Sequence, residues 1–395
     1  MHDAPIVRFV DAMIQSALDK GASDIHLEPH KDQVKIRFRI DGHLADQQVV
    51  EQQFKDTLIA RIKVLAHIDI AEKRIAQDGK FRKERYHSHV DFRVSAFPTI
   101  HGQKIVIRIL DQSKQSIRLE QIGLSVPMRT QLEQVLKVPQ GFILVSGPTG
   151  SGKTTTLYAA LSLLNDTRKH IITLEDPVEY TIQGITQGQV NHEIGFDFAR
   201  GLRALLRQDP DIVMVGEIRD RETARIAIES SLTGHLVLST IHTNDAPSVV
   251  LRLLDMGIEP YLVTAALTGV VAQRLIRTLC NSCKRFRPLT ESERAVFERA
   301  AIAVDQIAEP VGCATCHQKG FKGRTALFQL MSVTSALKRS IVGNPVIEDI
   351  YRQAVSEGMT SLMRDGLEKA AQGMISFDEL LAVAAHPEPL DFTPV

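Results

Sequence analysis

The chain has 395 residues, with 47 Lys plus Arg balancing 47 Asp plus Glu, so no overall field draws it to nucleic acid or to anionic lipid. The length exceeds what one core usually fills and 44% of the residues are hydrophobic, which predicts a globular protein of two sizeable domains. The N-terminus lacks the features of a signal peptide, and the most apolar window, 261–272, is well short of the ~20 residues that span a bilayer. A cytoplasmic protein is expected, with any membrane contact peripheral.

Val7, Val10, Ile14, Ala17 and Leu18 recur at helical spacing and predict a helix over 7–20, stopped by Gly21. Val34, Ile36, Phe38 and Ile40 alternate with Lys35, Arg37 and Arg39, which is the pattern of a half-buried strand ending in the Asp41-Gly42 turn. A second helix is expected over 54–68. Two more alternating strands follow, one with Val90, Phe92 and Val94 inward and Arg93 outward, the next with Ile105, Ile107 and Ile109 inward and Arg108 outward. Residues 1–110 therefore read as a small α+β domain, and 111–121 (DQSKQSIRLEQ), which lose the apolar pattern, as a linker.

Beyond the linker, strands over 141–146, 171–174, 212–215 and 235–240 alternate with helices over 154–164, 199–207 and 221–232. That is the order of a parallel sheet flanked by helices. From about residue 260 the chain reads as mainly helical, interrupted by a cysteine segment, and the Pro-rich tail after His386 reads as loose. No internal repeat is present.

Gly147-Pro148-Thr149-Gly150-Ser151-Gly152-Lys153-Thr154 fits G-x-x-x-x-G-K-[ST] and lies between an apolar strand and a helix, where the motif has meaning; Thr155 follows it. Glycines let such a loop wrap a phosphate with its N–H groups and the helix N-terminus, Lys153 would neutralise the β and γ phosphates, and Thr154 would ligate magnesium. Hydrolysis further needs carboxylates near water and metal. Two acidic clusters end strands: Glu175-Asp176-Pro177-Val178-Glu179 after IITL, and Gly216-Glu217 after IVMV. Both can meet the P-loop beyond the carboxyl ends of a parallel sheet. Gly216 stands where the usual Walker B pattern has an aspartate, which leaves magnesium more to Thr154 and water. His242, just past the strand LVLST, is placed to sense a γ-phosphate, and His235 at its other end has a weaker case. Arg200, Arg203 and Arg207 share one stripe of a helix, which a solvated charged face accounts for on pattern alone.

All four cysteines lie in two pairs, Cys280-x2-Cys283 and Cys313-x2-Cys316, 29 residues apart. In a reducing compartment each pair can grip one edge of a tetrahedral zinc, and a four-thiolate shell leaves no open position, so the role is structural. The intervening stretch must be its own substructure, with helix-prone residues over 290–303, and His317 is an unneeded fifth candidate.

Together these motifs resemble the type II secretion and type IV pilus assembly ATPases (GspE/PilB type) over about residues 6–385. The matching stretches are ASDIHLEP at 22–29, IRFRIDG at 36–42, QDGK at 77–80, the P-loop, ITLEDPVEY at 172–180, LRALLRQDPDIVMVGEIRD at 202–220 and TGHLVLSTIHTNDA at 233–246. The tetracysteine segment, GFKGR at 320–324 and EGMTSLMRDGL at 357–367 complete the likeness.

The resemblance implies an α/β fold: a PAS-like α+β N-terminal domain (1–110), a RecA-like P-loop core (122–275), a zinc-binding segment (276–326), a helical subdomain (327–386) and a loose tail (387–395). It implies a cytoplasmic homo-hexamer that uses ATP and Mg2+, carries Zn2+ and joins an inner-membrane platform protein, with no direct nucleic acid and membrane association only through partners. In this likeness Glu179 polarises the attacking water and Glu217 helps organise magnesium. His242 looks at the γ-phosphate, and Arg93, Arg108, Arg203 and Arg207 bring positive charge to the phosphates. Longer relatives carry a further N-terminal domain, whereas this chain starts almost directly at the ASDIH-type domain, and Gln329 stands where relatives tend to be acidic. A retraction motor is the nearest alternative, though such relatives generally lack the four cysteines. A DNA-transport motor fits the balanced charge less well, and an ATP-binding scaffold with little turnover is the reading from a different class.

Overall fold

The computed structural model describes residues 5–85, 88–111, 118–342 and 345–384. Most of the expected linker and all of the tail lie outside these residues. The chain divides into two compact units, Met1–Gln115 and Ser116–Val395.

The first unit runs α1 (Pro5–Asp19), β1 (Asp24–Pro29), β2 (Gln33–Ile40), β3 (His43–Glu51), α2 (Lys55–Leu65), β4 (Gln77–Arg85), β5 (Ser88–Thr99) and β6 (Gly102–Asp111). Its strands form an antiparallel sheet in the order β3-β2-β1-β6-β5-β4. Strand alternation sends Ile25, Leu27, Val34, Ile36, Phe92, Val94, Ile105 and Ile107 to one face, where they form a core with Val10, Ile14, Leu58 and Ile62 of the two helices. The same alternation gathers polar residues on the other face. There the cross-strand register aligns Arg39, Asp24, Arg108, Arg93 and Lys80 in one row.

The second unit continues with α3 (Val126–Leu136), β7 (Gly141–Ser146), α4 (Lys153–Leu164), β8 (Ile171–Glu175), β9 (Thr186–Gln189), α5 (Phe198–Leu205), β10 (Ile212–Val215), α6 (Arg221–Leu232) and β11 (Leu236–Ile241). It is completed by α7 (Pro247–Asp255), α8 (Pro260–Ala266), β12 (Leu267–Leu279), β13 (Arg285–Pro288), α9 (Glu291–Arg299), β14 (Gln306–Glu309), β15 (Phe321–Ser332), α10 (Ser335–Ile341), α11 (Ile347–Ser356), α12 (Leu362–Ala371) and α13 (Phe377–Ala384). Among the described residues the main sheet has the order β15-β12-β7-β11-β10-β8-β9, parallel throughout except for the antiparallel β12–β15 pair. Its central strands are buried on both faces, as βαβ connections require, and side-chain caps from Asp197 and Asp220 start α5 and α6.

The expectation of a mainly helical region after residue 260 is corrected here. β12 and β15 are long strands of the main sheet, and they run across residues 275–276 and 326–327. β12 is buried along its first half, so LTGVVAQRLI presents a nearly continuous apolar run, and periodicity cannot separate such a strand from a buried helix. The helices after β15 divide between two cores. α10 and α11 pack Leu337, Ile341 and Ile350 into the core of the parallel sheet, whereas α12 and α13 pack Leu362, Leu367 and Leu380 with Ile276, Phe297 and Leu327.

Candidate nucleotide site and cysteine cluster

β7 ends at Ser146, and residues 147–152 turn its chain into α4. Gly147, Gly150 and Gly152 have φ of 144°, 77° and 89°, conformations a side chain would strain. A Cβ on Gly147 would also stand 2.4 Å from the carbonyl oxygen of Gln273 and 2.6 Å from Ser151 Oγ. The loop rests on β12 through Gln273, a buried glutamine whose Nε2 donates to the Ser151 carbonyl at 2.7 Å and whose Oε1 accepts from Thr156 Oγ1 at 2.7 Å. Lys153 Nζ donates to the Gly147 and Pro148 carbonyls at 2.8 and 3.0 Å. Burial lowers the Lys153 pKa, and the Glu217 carboxylate opposes that shift. Thr154 is exposed on the first turn of α4.

Parallel pairing brings the ends of β8, β10 and β11 to the same edge as the P-loop. Ile241 aligns with Ser146, and Val215 with both Ser239 and Leu174. Glu217 is held there between two side chains: Arg219 Nη2 donates to its Oε1 at 2.5 Å, and His242 Nε2 lies 3.6 Å from its Oε2. Arg219 Nη1 also lies 3.7 Å from Asp176 Oδ2, and His192 Nε2 is 3.2 Å from that oxygen. A chain of polar contacts thus runs His192, Asp176, Arg219, Glu217, His242 along the edge. Glu179 is exposed, and its backbone N–H reaches the Tyr158 hydroxyl at 3.3 Å.

The structure brings Lys153, Glu217 and His242 together at this edge. Arg203 Nη2 pairs with Glu222 Oε1, in the first turn of α6, at 2.5 Å, and Arg207 Nη1 donates to the Arg203 carbonyl at 2.7 Å. Arg108 Nε lies 3.1 Å from Asp24 Oδ1 and aligns with Arg93 within the first unit. His235 accounts for itself structurally, with Nδ1 3.0 Å from the Ser230 carbonyl near the end of α6. Sequence reading missed His192, Arg219 and Gln273, and named Asp176 only as a member of its acidic cluster. Asp176 and Arg219 sit inside EDPVE and GEIRD, and a polar residue inside the apolar run of β12 was the available sign for Gln273.

The cysteines meet because β12 and β15 pair as far as Leu279↔Phe321, so the chain just after one strand faces the chain just before the other. The four Sγ atoms lie within 4.8 Å of one another, with separations of 3.9, 3.8 and 3.7 Å for Cys280–Cys313, Cys283–Cys316 and Cys313–Cys316. Four sulfurs about 2.3 Å from a tetrahedral ion sit about 3.8 Å apart, so the donor set fits a thiolate-bound metal. Backbone N–H groups of Gly312, Cys313 and Gly320 point at the sulfurs of Cys283 and Cys316. Burial works to raise the Cys316 thiol, but the N–H groups of Cys313 and Gly320 bring it down to about 6, which favours the ligating thiolate.

No helix among the described residues is long and apolar enough to cross a membrane. The family described as "Type II/IV secretion system protein" matches residues 1–382. The type II secretion system protein E of Aeromonas hydrophila is 46% identical over 384 residues, which cover 96% of this chain and 76% of that one. The type IV pilus assembly ATPase PilB of Myxococcus xanthus is 43% identical over 389 residues, covering 97% and 68%. Among solved structures, the pilus retraction motor PilT with bound ADP superposes with a TM-score of 0.64 at 25% identity, covering 95% of this chain and 96% of that one. With its P-loop, its acidic strand ends and a family match over nearly its whole length, the chain belongs to the type II/IV secretion system proteins.

Proposed function

We propose that this chain is the ATP-hydrolysing motor of a type II secretion or type IV pilus assembly machine. Its two parts are read as a PAS-like α+β domain and a RecA-like ATPase domain whose C-terminal portion carries zinc and the final helices. The observation that carries the reading is the gathering of Lys153, Glu217, Asp176 and His242 at the carboxyl edge of the parallel sheet, beside a P-loop anchored by Gln273.

Residues 147–155 bind the phosphates, and Lys153 exchanges the carbonyls of Gly147 and Pro148 for phosphate oxygens. Thr154, water and Glu217 hold Mg2+, which supplies charge neutralisation at the transferring phosphoryl group. Glu179 orients the attacking water, and His242, hydrogen-bond capable at the end of β11, reports on the γ-phosphate. Arg93, Arg108, Arg203 and Arg207 supply positive charge in an assembled homo-hexamer, for which Arg203 leaves Glu222. Recruitment to the inner face of the inner membrane runs through a platform protein, and the cysteine lobe, absent as a rule from retraction motors, favours assembly or export.

The test is steady-state ATP hydrolysis of the purified chain at rising protein concentration, with Glu179→Gln and Lys153→Ala alongside. Turnover that climbs with assembly and disappears in both variants supports the ring motor. ATP binding with wild-type turnover no higher than that of Glu179→Gln, even when oligomerisation is forced and the membrane partner is added, favours the scaffold.

A further inference from the structure

Behind the proposed site lies a buried polar cluster that none of the steps above employs. Glu175, the last residue of β8, is 3% exposed, and its carboxylate accepts hydrogen bonds from three neutral donors. These are the Tyr158 hydroxyl, Thr173 Oγ1 at 2.5 Å and Gln187 Nε2 at 3.0 Å. Burial and the Glu175 carboxylate both push the Tyr158 pKa up, so its oxygen keeps its proton and donates. The same oxygen accepts from the backbone N–H of Glu179 at 3.3 Å.

Tyr158 is 1% exposed and stands one helical turn beyond Thr154 on α4. Its ring meets Tyr180 edge-on, with centroids 4.6 Å apart. Gln187 secures the far side of the same segment, donating to the Tyr180 carbonyl at 3.1 Å and accepting from Ile182 N–H at 2.7 Å. Gln189 Oε1 accepts from Val178 N–H at 3.2 Å. A buried tyrosine needs one partner for its hydroxyl. This one uses both its donor and its acceptor capacity: it donates to the strand end, and it accepts from the loop that carries Glu179 and, at 3.5 Å, from Gln187 Nε2.

We propose that Tyr158 is a positioning residue that, with Glu175, fixes the Glu179 segment to the helix bearing Lys153 and Thr154, so that phosphate cradle and water-orienting carboxylate move as one body. The inference rests on the proposed role of Glu179. Tyr158→Phe removes one oxygen and leaves the ring packing and the P-loop contacts of Gln273 in place. A misplacement of about 1 Å can cost about 100-fold in rate, so kcat is expected to fall about 10- to 100-fold. ATP affinity should stay within about twofold, because no phosphate-binding group is touched.

The experiment measures kcat, ATP affinity, thermal midpoint and amide hydrogen exchange of Tyr158→Phe in the full chain, with Gln187→Met as a second variant that loosens the same segment from its other side. Faster exchange confined to residues 176–182, together with the loss of kcat at unchanged affinity, supports the tether. Combining Tyr158→Phe with Glu179→Gln should lower the rate no further than Glu179→Gln alone. Wild-type exchange in that segment overturns the inference, as does wild-type kcat, or a loss spread over stability and ATP affinity alike. Exchange decides the matter even in a preparation that does not turn over. If Glu179→Gln retains turnover, the role of Glu179 fails instead, and the exchange result still reads the tether.

Discussion

Replacing Lys369 by methionine tests how the free edge of the main sheet is closed. β15 is an edge strand, and two of its main-chain groups are met by side chains of α12. Lys369 Nζ donates to the Ala326 carbonyl at 2.7 Å, and Asp365 Oδ2 accepts from Phe328 N–H at 2.8 Å, while the two charges pair with each other at 2.5 Å. Their side chains are 2% and 7% exposed for Asp365 and Lys369. Burial raises the Asp365 pKa and lowers that of Lys369, so for each group desolvation outweighs the attraction of its partner. The ion pair is therefore a poor source of net stability, and what it secures is the strand edge. Lys369→Met leaves a buried carboxylate with a single donor and an unpaired carbonyl, a loss of about 3–5 kcal/mol. At about 2–4 °C per kcal/mol for a domain of this size, the thermal midpoint of the second unit should fall by about 6–20 °C in calorimetry. The decisive variant is Asp365→Leu with Lys369→Met. An ordinary buried pair exchanged for apolar residues is neutral or stabilising. Here Phe328 N–H and the Ala326 carbonyl would both lose their partners, at about 1–3 kcal/mol each, so the double variant should stay about 2–6 kcal/mol below wild type. A double variant that melts at or above wild type refutes the edge-closing argument.

Gln273→Ala should lower ATP affinity about 10-fold by calorimetric titration, since the Ser151 carbonyl and Thr156 hydroxyl lose a buried partner worth about 1–3 kcal/mol; unchanged affinity would show that the P-loop holds its shape without it. The purified chain should carry about one zinc per chain by mass spectrometry. Cys316→Ser or chelation should lower the melting of the cysteine lobe while ATP affinity stays within about twofold, and a metal-free chain of undiminished stability would count against the site. Within that lobe, the Arg287 guanidinium holds the Glu293 carboxyl down at about 2, against a usual value near ~4.3. A carboxyl depressed in the folded state contributes fully above its unfolded pKa and loses that contribution as pH falls through the folded one. The stability gap between wild type and Glu293→Gln should therefore close between about pH 4 and about pH 2, and a gap independent of pH would contradict the pairing.

The parallel core was legible because each of its signs is local. The run 141–146 is a strand in the structure, the P-loop follows it, Glu175 ends β8, and Glu217 comes two residues after the end of β10. What was not legible depends on neighbours distant in sequence. β12 is apolar because β7 and β15 flank it and helices cover it, and the same composition serves a helix equally well. Arg219 looks like any loop arginine until the sheet places Asp176 and Glu217 on either side of it. Arg203 shows the converse, because it lies on a helix as expected while its partner, Glu222, comes from the next helix. Gly216 departs from the usual Walker B pattern, yet a Cβ there would have only ordinary contacts at 3.4 Å, so close packing is not what keeps a side chain out.

The two misread strands also explain why metal loss and nucleotide binding should separate. β12 runs parallel to β7, aligning Ala272 with Ser146, and then continues past the carboxyl edge from Gln273 to Leu279 before reaching Cys280. Gln273 lies at the root of this extension, under the P-loop. Gln329 aligns with Ala272 from β15 and accepts from Ala246 N–H at 2.7 Å, where the chain after His242 enters α7. Both nucleotide-edge loops are thus anchored within the β12–β15 ladder, at Gln273 and Gln329, and the cysteines lie just past its Leu279↔Phe321 end. The ladder is regular from Gly269 to Arg277 and shifts register only between Arg277 and Leu279, beside the cysteines. Arg277 is braced there by Glu379 of α13 and by the Phe321 ring, 4.0 Å from its guanidinium. Disorder released by removing the metal meets this irregular, separately braced step before it reaches Gln273. For that reason chelation should soften the lobe and leave ATP affinity intact, whereas Arg277→Ala, which removes the brace, should let chelation weaken ATP binding as well; equal ATP affinity with and without metal in Arg277→Ala would refute the barrier.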